Sequence, residues 1–496
     1  MNALLIVDNP KRWPLRIPGA EVVSARDYLS LAEHAARPRV KVFNLCRSYG
    51  YQTSGYYVSL LAQARGHRPI PSVSTLQDLR LAAVLKVHSR DLDELIQKSL
   101  KGHKAETFDL RMYFGRSFAK KYDQLGTALF NAFPAPFLEV TFSNEPNGRR
   151  GHWAIDSVRI IGAGDIPDDH KEFIAQAAHE YLEKPPRPRR AKAPARFDLA
   201  ILHDPDDKLP CSDPKALKLF REAAEDMGLR TEMLVKEEIG RLNQFDALFI
   251  RDTTGVNNHT YRFARRAQAE GLVVLDHPES ILRCNNKVYV AELLDRYRVP
   301  TPKTVIFSED TAWMVSERIG FPCVIKQPDS SFSAGVVKIN TADEFLARRE
   351  QLFENSELLL AQEFVPTEFD WRVGVLEGKP LYVCKYMMAE RHWQIIRRDE
   401  RGEVHEGGFE TMPVEDAPKD VIALGVKAAR LIGDGLYGID IKVLGGRPKV
   451  IEINDNPNIY AGVEDKVLGE ELYVRVMQYL LTRIEDRVRK QAPGGR

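Results

Sequence analysis

The sequence predicts a multidomain chain of mixed α/β and α+β character. Its 496 residues exceed what one hydrophobic core organises. A tract of proline and like charge, Lys184-Pro185-Pro186-Arg187-Pro188-Arg189-Arg190-Ala191-Lys192-Ala193-Pro194, excludes regular structure and reads as an extended linker. On both sides of it short apolar runs alternate with helical ones, and beyond about Asn285 the character changes again.

Before the tract, residues 4–7 and 40–45 read as strands and residues 55–65 as a helix. Phe137-Leu138-Glu139-Val140-Thr141-Phe142 alternates enough for a half-buried strand, so residues 1–183 form an α/β domain. After a linker at 184–196, residues 197–202 form a buried strand. Ser212-Asp213-Pro214 opens a helix with a polar cap and proline in its first turn. Leu217, Phe220, Ala224 and Met227 make its apolar stripe, and Gly228 closes it. Strands at 231–235 and 247–250 complete a small parallel-sheet domain over 197–285. Residues 286–487 form the last domain and 488–496 a tail.

Composition narrows the function. With 71 basic and 70 acidic residues the net charge is +1, which gives no broad attraction for nucleic acid or a membrane surface. Apolar runs stop far short of the roughly 20 residues that span a bilayer, and the N-terminus lacks a signal-peptide pattern. Cys46, Cys211, Cys284, Cys323 and Cys384 are scattered without metal-ligand spacing, which fits reduced core cysteines of a cytoplasmic protein.

Chemistry concentrates after Asn285. In Ile451-Glu452-Ile453-Asn454-Asp455-Asn456-Pro457, strand alternation points Ile451 and Ile453 one way and Glu452 and Asn454 the other. Tyr437-Gly438-Ile439-Asp440-Ile441-Lys442-Val443 has the same form, with Asp440 opposite Ile439, Ile441 and Val443. Gly445-Gly446-Arg447-Pro448 joins the two as a hairpin. Facing Asp440 with Glu452 requires an odd, three-residue loop of Gly445-Gly446-Arg447; a two-residue turn would send the carboxylates to opposite faces. Asp440, Glu452 and Asn454 are hard oxygen donors of the kind that suits Mg²⁺; alone, they read more readily as a solvated sheet face.

Lys326 ends the buried run Phe321-Pro322-Cys323-Val324-Ile325-Lys326, and the small-residue loop Asp329-Ser330-Ser331-Phe332-Ser333-Ala334-Gly335-Val336 follows. Such a loop lets backbone N–H groups approach phosphate oxygens. Lys287 begins an amphipathic helix, and either lysine alone reads as a solvated element end. Residues 358–365 form a strand ending in Gln362-Glu363-Phe364-Val365, a backbone edge and apolar wall suited to adenine. Asp370-Trp371-Arg372 opens the next strand with a carboxylate and a guanidinium fork.

In that order these pieces resemble the ATP-grasp superfamily, and most closely its RimK-type carboxylate–amine (glutamate) ligases. The resemblance runs from Phe197 to near Arg487. It implies a pre-ATP-grasp domain at 197–285 and a two-part ATP-grasp domain at 286–487 with a lid over about 300–365. Lys287 and Lys326 would hold ATP phosphates, and Glu363, Phe364 and Val365 would frame adenine. Asp370 would lie near the ribose and Lys385 near the triphosphate. Asp440, Glu452 and Asn454 would bind Mg²⁺, with Mn²⁺ as an alternative. Arg372 and Lys326 would be catalytic, steadying the transferred phosphate. RimK-type ligases carry a stretch similar to Asn-Leu-His-Arg-Gly-Gly where this chain has Glu403-Val404-His405-Glu406-Gly407-Gly408, so the substrate does not simply carry over. Residues 1–183 resemble the module fused ahead of RimK-like units, through Asn44-Leu45-Cys46-Arg47-Ser48-Tyr49 and Gly55-Tyr56-Tyr57-Val58.

The expected reaction is ATP-dependent joining of an amino acid, glutamate or a similar one, to a carboxyl group of a peptide, protein or metabolite through an acyl phosphate. A dipeptide or glutathione-like synthase and a non-enzymatic ATP-binding regulator remain the alternatives. Neither a nucleic acid nor a membrane is expected as a partner, and a homo-oligomer is left open. The first domain is expected to help select the acceptor.

Overall fold

The computed structural model describes residues 3–17, 19–35, 37, 40–103, 105–145, 152–182, 195–329, 335–390, 392–398 and 404–491. The proline-basic tract at 184–194 and loop residues 330–334 lie outside them. The chain divides into two units: Met1–Pro186 with Glu237–Gln244 and Arg487–Arg496, and Arg187–Lys236 with Phe245–Asp486.

In the first unit, β1 (Ala3–Val7), β2 (Ala20–Ser24), β3 (Lys41–Asn44) and β4 (Arg68–Ile70) form a parallel sheet in the order β2-β1-β3-β4. Ala3, Leu5 and Val7 enter one core while Leu4 and Ile6 enter another, which explains an unbroken apolar run instead of alternation. The second sheet is antiparallel, ordered β6-β5-β7-β8: β5 (Thr107–Tyr113), β6 (Arg116–Ser117), β7 (Phe137–Glu145) and β8 (His152–Ile160). β7 is more deeply covered than half-buried alternation predicts. Phe137 belongs to one core, and Leu138, Val140 and Phe142 belong to another. Its buried Glu139 is neutralised by Arg111 and Arg159.

The second unit begins with a parallel sheet, β10-β9-β11-β12, made of β9 (Phe197–Leu202), β10 (Leu229–Leu234), β11 (Ala247–Ile250) and β12 (Val273–Leu275). Its helix Pro214–Asp226 starts where the Asp213 side chain accepts from the Ala216 N–H. The helix leads into left-handed Gly228, with φ +85°. Next, β13 (Thr304–Phe307), β14 (Cys323–Lys326), β15 (Val336–Ile339) and β16 (Leu359–Glu363) form an antiparallel sheet ordered β13-β16-β14-β15. Helix Ala342–Phe353 covers it with Phe345 and Leu352.

The last large sheet combines β17 (Phe369–Leu376) and β18 (Lys379–Met387), followed after the small ladder β19 (Ile396–Arg398) with β20 (Val404–Glu406) by β21 (Phe409–Met412), β22 (Leu436–Leu444) and β23 (Arg447–Asn454). Its order is β21-β18-β17-β22-β23, all antiparallel. Trp371, Val373, Val375, Ile439, Ile441, Val450 and Ile453 cover one face and pack on Val421, Leu424, Ala428 and Ile432 of helix Lys419–Ile432. Burying one such side chain contributes about 1.5–3 kcal/mol, so a one-residue slip that exposed this set is strongly disfavoured.

The hairpin tip corrects the expected three-residue loop. Leu444 pairs with Arg447 around a two-residue turn at Gly445 and Gly446, both left-handed at φ +58° and +75°. Asp440 nonetheless faces Glu452, because the register shifts between Asp440 and Ile441: Ile441 pairs with Val450 and Ile451 is extra. This β-bulge restores the pairing that the turn alone would lose. It also overturns the strict alternation expected of β23. Val450 and Ile453 enter the core, and Ile451 lines the opposite side with Glu452.

Candidate active site

Within the second unit, strands of the two antiparallel sheets β13–β16 and β17–β23, together with Cys211, Thr253 and Thr254 from outside the strands of the parallel sheet, wall a cavity of about 350 Å³. To it β14 delivers Lys326, and Val324, Val336, Pro302, Phe364 and Val365 supply apolar surface. Phe364 meets Trp393 edge-on at 5.9 Å, and the Lys338 ammonium lies 3.9 Å from the Phe364 ring centroid. Lys326 is 8% exposed, and its Nζ forms no hydrogen bond or ion pair among the described residues. Burial pushes its ammonium down to about 8, against the pull of Glu452.

The hairpin delivers the acids. Asp440 is gripped by both arms of the Arg372 guanidinium, with Nη2–Oδ2 at 2.9 Å and a short Nε–Oδ1 bond. Gly438 makes room for this pair: a Cβ there would sit 3.0 Å from Arg372 Cδ and 2.7 Å from Pro457 Cβ. Glu452 binds Lys287 Nζ at 2.9 Å. Burial would raise its carboxyl, but Lys287 and Lys326 together hold it below the usual range. Asn454 donates from Nδ2 to Asp440 Oδ2 at 3.2 Å and to the Gly438 carbonyl at 3.3 Å, which leaves its own carbonyl oxygen as the donor for a cation. Two carboxylates and an amide oxygen on one wall suit a hard divalent cation, and the residues present fit Mg²⁺.

Most of the other expected site residues also line the cavity. Asp370 is bound by Lys442 at 2.5 Å and Thr367 at 3.3 Å; burial, only partly opposed by Lys442, raises its carboxyl. Glu363 binds Lys449 at 2.5 Å, and its backbone N–H is already donated to the Lys303 carbonyl at 2.8 Å. That N–H is therefore not available to a base.

Lys385 is a correction. It pairs across the sheet with Trp371, so it points to the face away from Arg372 and Asp440. There it binds Glu410 at 2.8 Å and lies 5.3 Å from the ring centroids of Phe369 and Trp371. Its neighbour Tyr386 takes the cavity position, and its ring centroid is 5.3 Å from the Arg372 guanidinium. In the stretch that departs from the RimK pattern, Glu403 lies outside the described residues, His405 is exposed and Gly407 lines the cavity.

Several site residues escaped sequence reasoning. Lys442 was legible, since it lies two residues from Asp440 on the same strand face. Lys449 was hidden by the bulge, which sets it opposite Lys442. Asp455 carried no signal: it is buried, with Oδ2 unpartnered among the described residues, its Oδ1 accepts from Asn285 at 3.3 Å, and burial pushes its carboxyl up to about 7. Fully buried Arg251 holds the segment after β23, binding the Pro457 carbonyl at 2.8 Å and Asn456 Oδ1 at 2.5 Å.

Phosphate-sized cations, an oxygen-donor hairpin and an apolar slot in one cavity are what a nucleotide-dependent ligase requires. A family profile for the ATP-grasp domain matches residues 284–459, and one for the RimK-like ATP-grasp N-terminal domain matches residues 25–177. The chain carries the ATP-grasp domain of ATP-dependent ligases behind a RimK-like N-terminal domain. Such ligases use ATP to form amide bonds, and this one is a carboxylate–amine ligase with a RimK-like N-terminal domain. The alpha-aminoadipate–LysW ligase LysX of Sulfolobus acidocaldarius is 29% identical over 226 residues, covering 44% of this chain and 75% of the relative. A "Probable alpha-L-glutamate ligase" of Thioalkalivibrio sulfidiphilus is 26% identical over 243 residues, 48% of this chain and 77% of the relative. The solved D-alanine–D-alanine ligase of Bacillus anthracis covers 60% of this chain and 100% of its own at 13% identity and a TM-score of 0.47, too loose a likeness to bear on substrate. Among the described residues no helix is long and apolar enough to cross a membrane.

Proposed function

We propose that this ATP-grasp ligase adds glutamate or a similar amino acid to a carboxyl group of a peptide, protein or small molecule, using Mg·ATP and an acyl-phosphate intermediate. The observation that carries it is the shared wall on which Asp440, Glu452 and Asn454 face the cavity that also receives Lys326 and Arg372. In this arrangement Lys326 and Lys287 bind phosphate oxygens, and Phe364 and Val365 pack on the base. Arg372 offsets charge on the transferred phosphoryl group and on the oxyanion that the amine later creates. Asp440, Glu452 and Asn454 would hold Mg²⁺, which when bound neutralises phosphate charge. Closure over the cavity would shield the acyl phosphate from water. The RimK-like N-terminal domain selects the acceptor.

The relatives named as aminoadipate and glutamate ligases favour an acidic amino acid as one substrate. The test is phosphate release by the full chain with Mg·ATP and an amino-acid panel offered with and without carboxylate acceptors, each product identified by mass. Ligated product containing glutamate or a close analogue is expected. ATP binding without phosphate release under every combination would instead favour a regulator.

A further inference from the structure

The cavity wall holds an acid that the steps above do not use. Glu464 is 1% exposed yet walls the cavity. Both of its carboxyl oxygens take hydrogen bonds from neutral donors: Oε1 from the Tyr386 hydroxyl, and Oε2 from the Tyr460 backbone N–H at 2.7 Å. Among the described residues no lysine, arginine or histidine is paired with it. A desolvated carboxylate is costly unless a cation meets it, so an acid at this position is kept at the fold's expense. Among the described residues Asp455 is the other buried acid on the wall without a cation, but it adjoins Asn454 at the hairpin end.

Position adds to charge. Tyr386 bridges two groups: its hydroxyl is on Glu464, while the guanidinium of Arg372 lies 5.3 Å from its ring centroid. Glu464 therefore stands one tyrosine away from the group assigned to the transferred phosphate. The charged and titratable groups around it are Tyr386, Tyr382 and Cys384 of β18, Arg372 of β17, and Tyr473 of helix Glu470–Gln491. Burial holds its carboxyl above the usual range, with Tyr386 opposing. Arg372, the one cation among these, is committed to Asp440.

Resting on the ligase reading above, we infer that Glu464 receives the ammonium group of the amine substrate and accepts its first proton. The ammonium arrives with three protons. One moves to Glu464, converting carboxylate to carboxylic acid and freeing the nitrogen lone pair. The C–N bond forms as the bond from acyl carbon to phosphate oxygen breaks, and phosphate leaves with the electron pair. A second nitrogen proton goes to that phosphate and the third stays on the amide.

The test uses the full chain with Mg·ATP and the amino-acid panel, comparing amide formation with hydroxamate formation when hydroxylamine replaces the amine. Hydroxylamine is uncharged at neutral pH and has no ammonium to deliver. General-base catalysis contributes typically ~10²–10⁴-fold, so Glu464→Gln is expected to lower the ratio of amide to hydroxamate rate by at least ~100-fold. Tyr386→Phe keeps the acid and removes its hydroxyl donor, so the acid limb of amide formation should move to higher pH while that of hydroxamate formation stays. A parallel fall of both products in Glu464→Gln, or an unchanged ratio, overturns the assignment. So does an unshifted acid limb in Tyr386→Phe should Glu464→Gln fail to fold. Wild-type protein that forms neither product with any panel member removes the ligase reading itself, and the role of Glu464 with it.

Discussion

The two faces of the five-stranded sheet are made by the same strands and differ in almost every physical respect. One carries Trp371, Val373, Val375, Ile439 and Ile441 against a helix. The other carries Arg372, Asp440, Lys442, Glu452 and Tyr386 toward the cavity. Neighbouring residues in sequence thus belong to different problems, packing on one side and charge on the other. The cations and acids of the second face are already matched, Arg372 to Asp440, Lys287 to Glu452 and Lys442 to Asp370. Burying them without such partners would cost several kcal/mol per charge. Binding of nucleotide and metal there is consequently an exchange of partners.

Substitutions on the two faces should separate activity from stability. The largest effect is expected from Lys326→Ala: steady-state phosphate release should fall ~10²–10³-fold, while the thermal midpoint stays unchanged or rises. Near wild-type turnover would demote the lysine to a passive cation. Next comes pH. The folded value of about 8 lies below the ordinary lysine value of about 10.4, so the ammonium is present below pH 8 and lost as pH rises through it. Nucleotide affinity, measured by calorimetry, should decline above about pH 8, with proton uptake on binding, and Lys326→Arg should flatten the profile. Stability has the opposite sign: the unfolded chain keeps the proton longer, so the contribution of Lys326 to stability improves between about pH 8 and 10.4. A pH-independent affinity would show that Lys326 does not titrate in this range.

On the packed face, Ile439→Val should lower stability by about 0.5–1.5 kcal/mol in a denaturant titration and leave turnover per folded molecule within about twofold. A selective loss of turnover would mean that the core face tunes the site. The smallest effect is expected from Lys385→Ala, within about 0.5 kcal/mol of stability and with nucleotide affinity unchanged. A tenfold loss of affinity would return Lys385 to the cavity side.

Much of this division was legible in the sequence. Ile439-Asp440-Ile441 alternates cleanly, and the order of Lys287, Lys326, Glu363, Asp370, Arg372, Asp440 and Glu452 carries the resemblance that the family profile supports. What failed was pairing between strands. Lys385 and Tyr386 are adjacent, and only the partner strand decides which of them faces inward. The turn at Gly445 and Gly446 followed its usual chemistry, and the expected loop was wrong because a bulge residue leaves no mark in composition. Asp455 and Glu464 are chosen by burial, which no single segment encodes.

The bulge at Ile451 has a mechanical consequence. A three-residue tip without a bulge and a two-residue tip with one are register isomers of a single chain, and both keep Asp440 opposite Glu452. Sliding between them would move only the stretch from Arg447 to Ile451, exchanging Val450 for Ile451 in the core and carrying Lys449 away from Glu363. The acids would stay where they are. The register at the base of the hairpin, not the length of its tip, is therefore what fixes the carboxylates opposite one another.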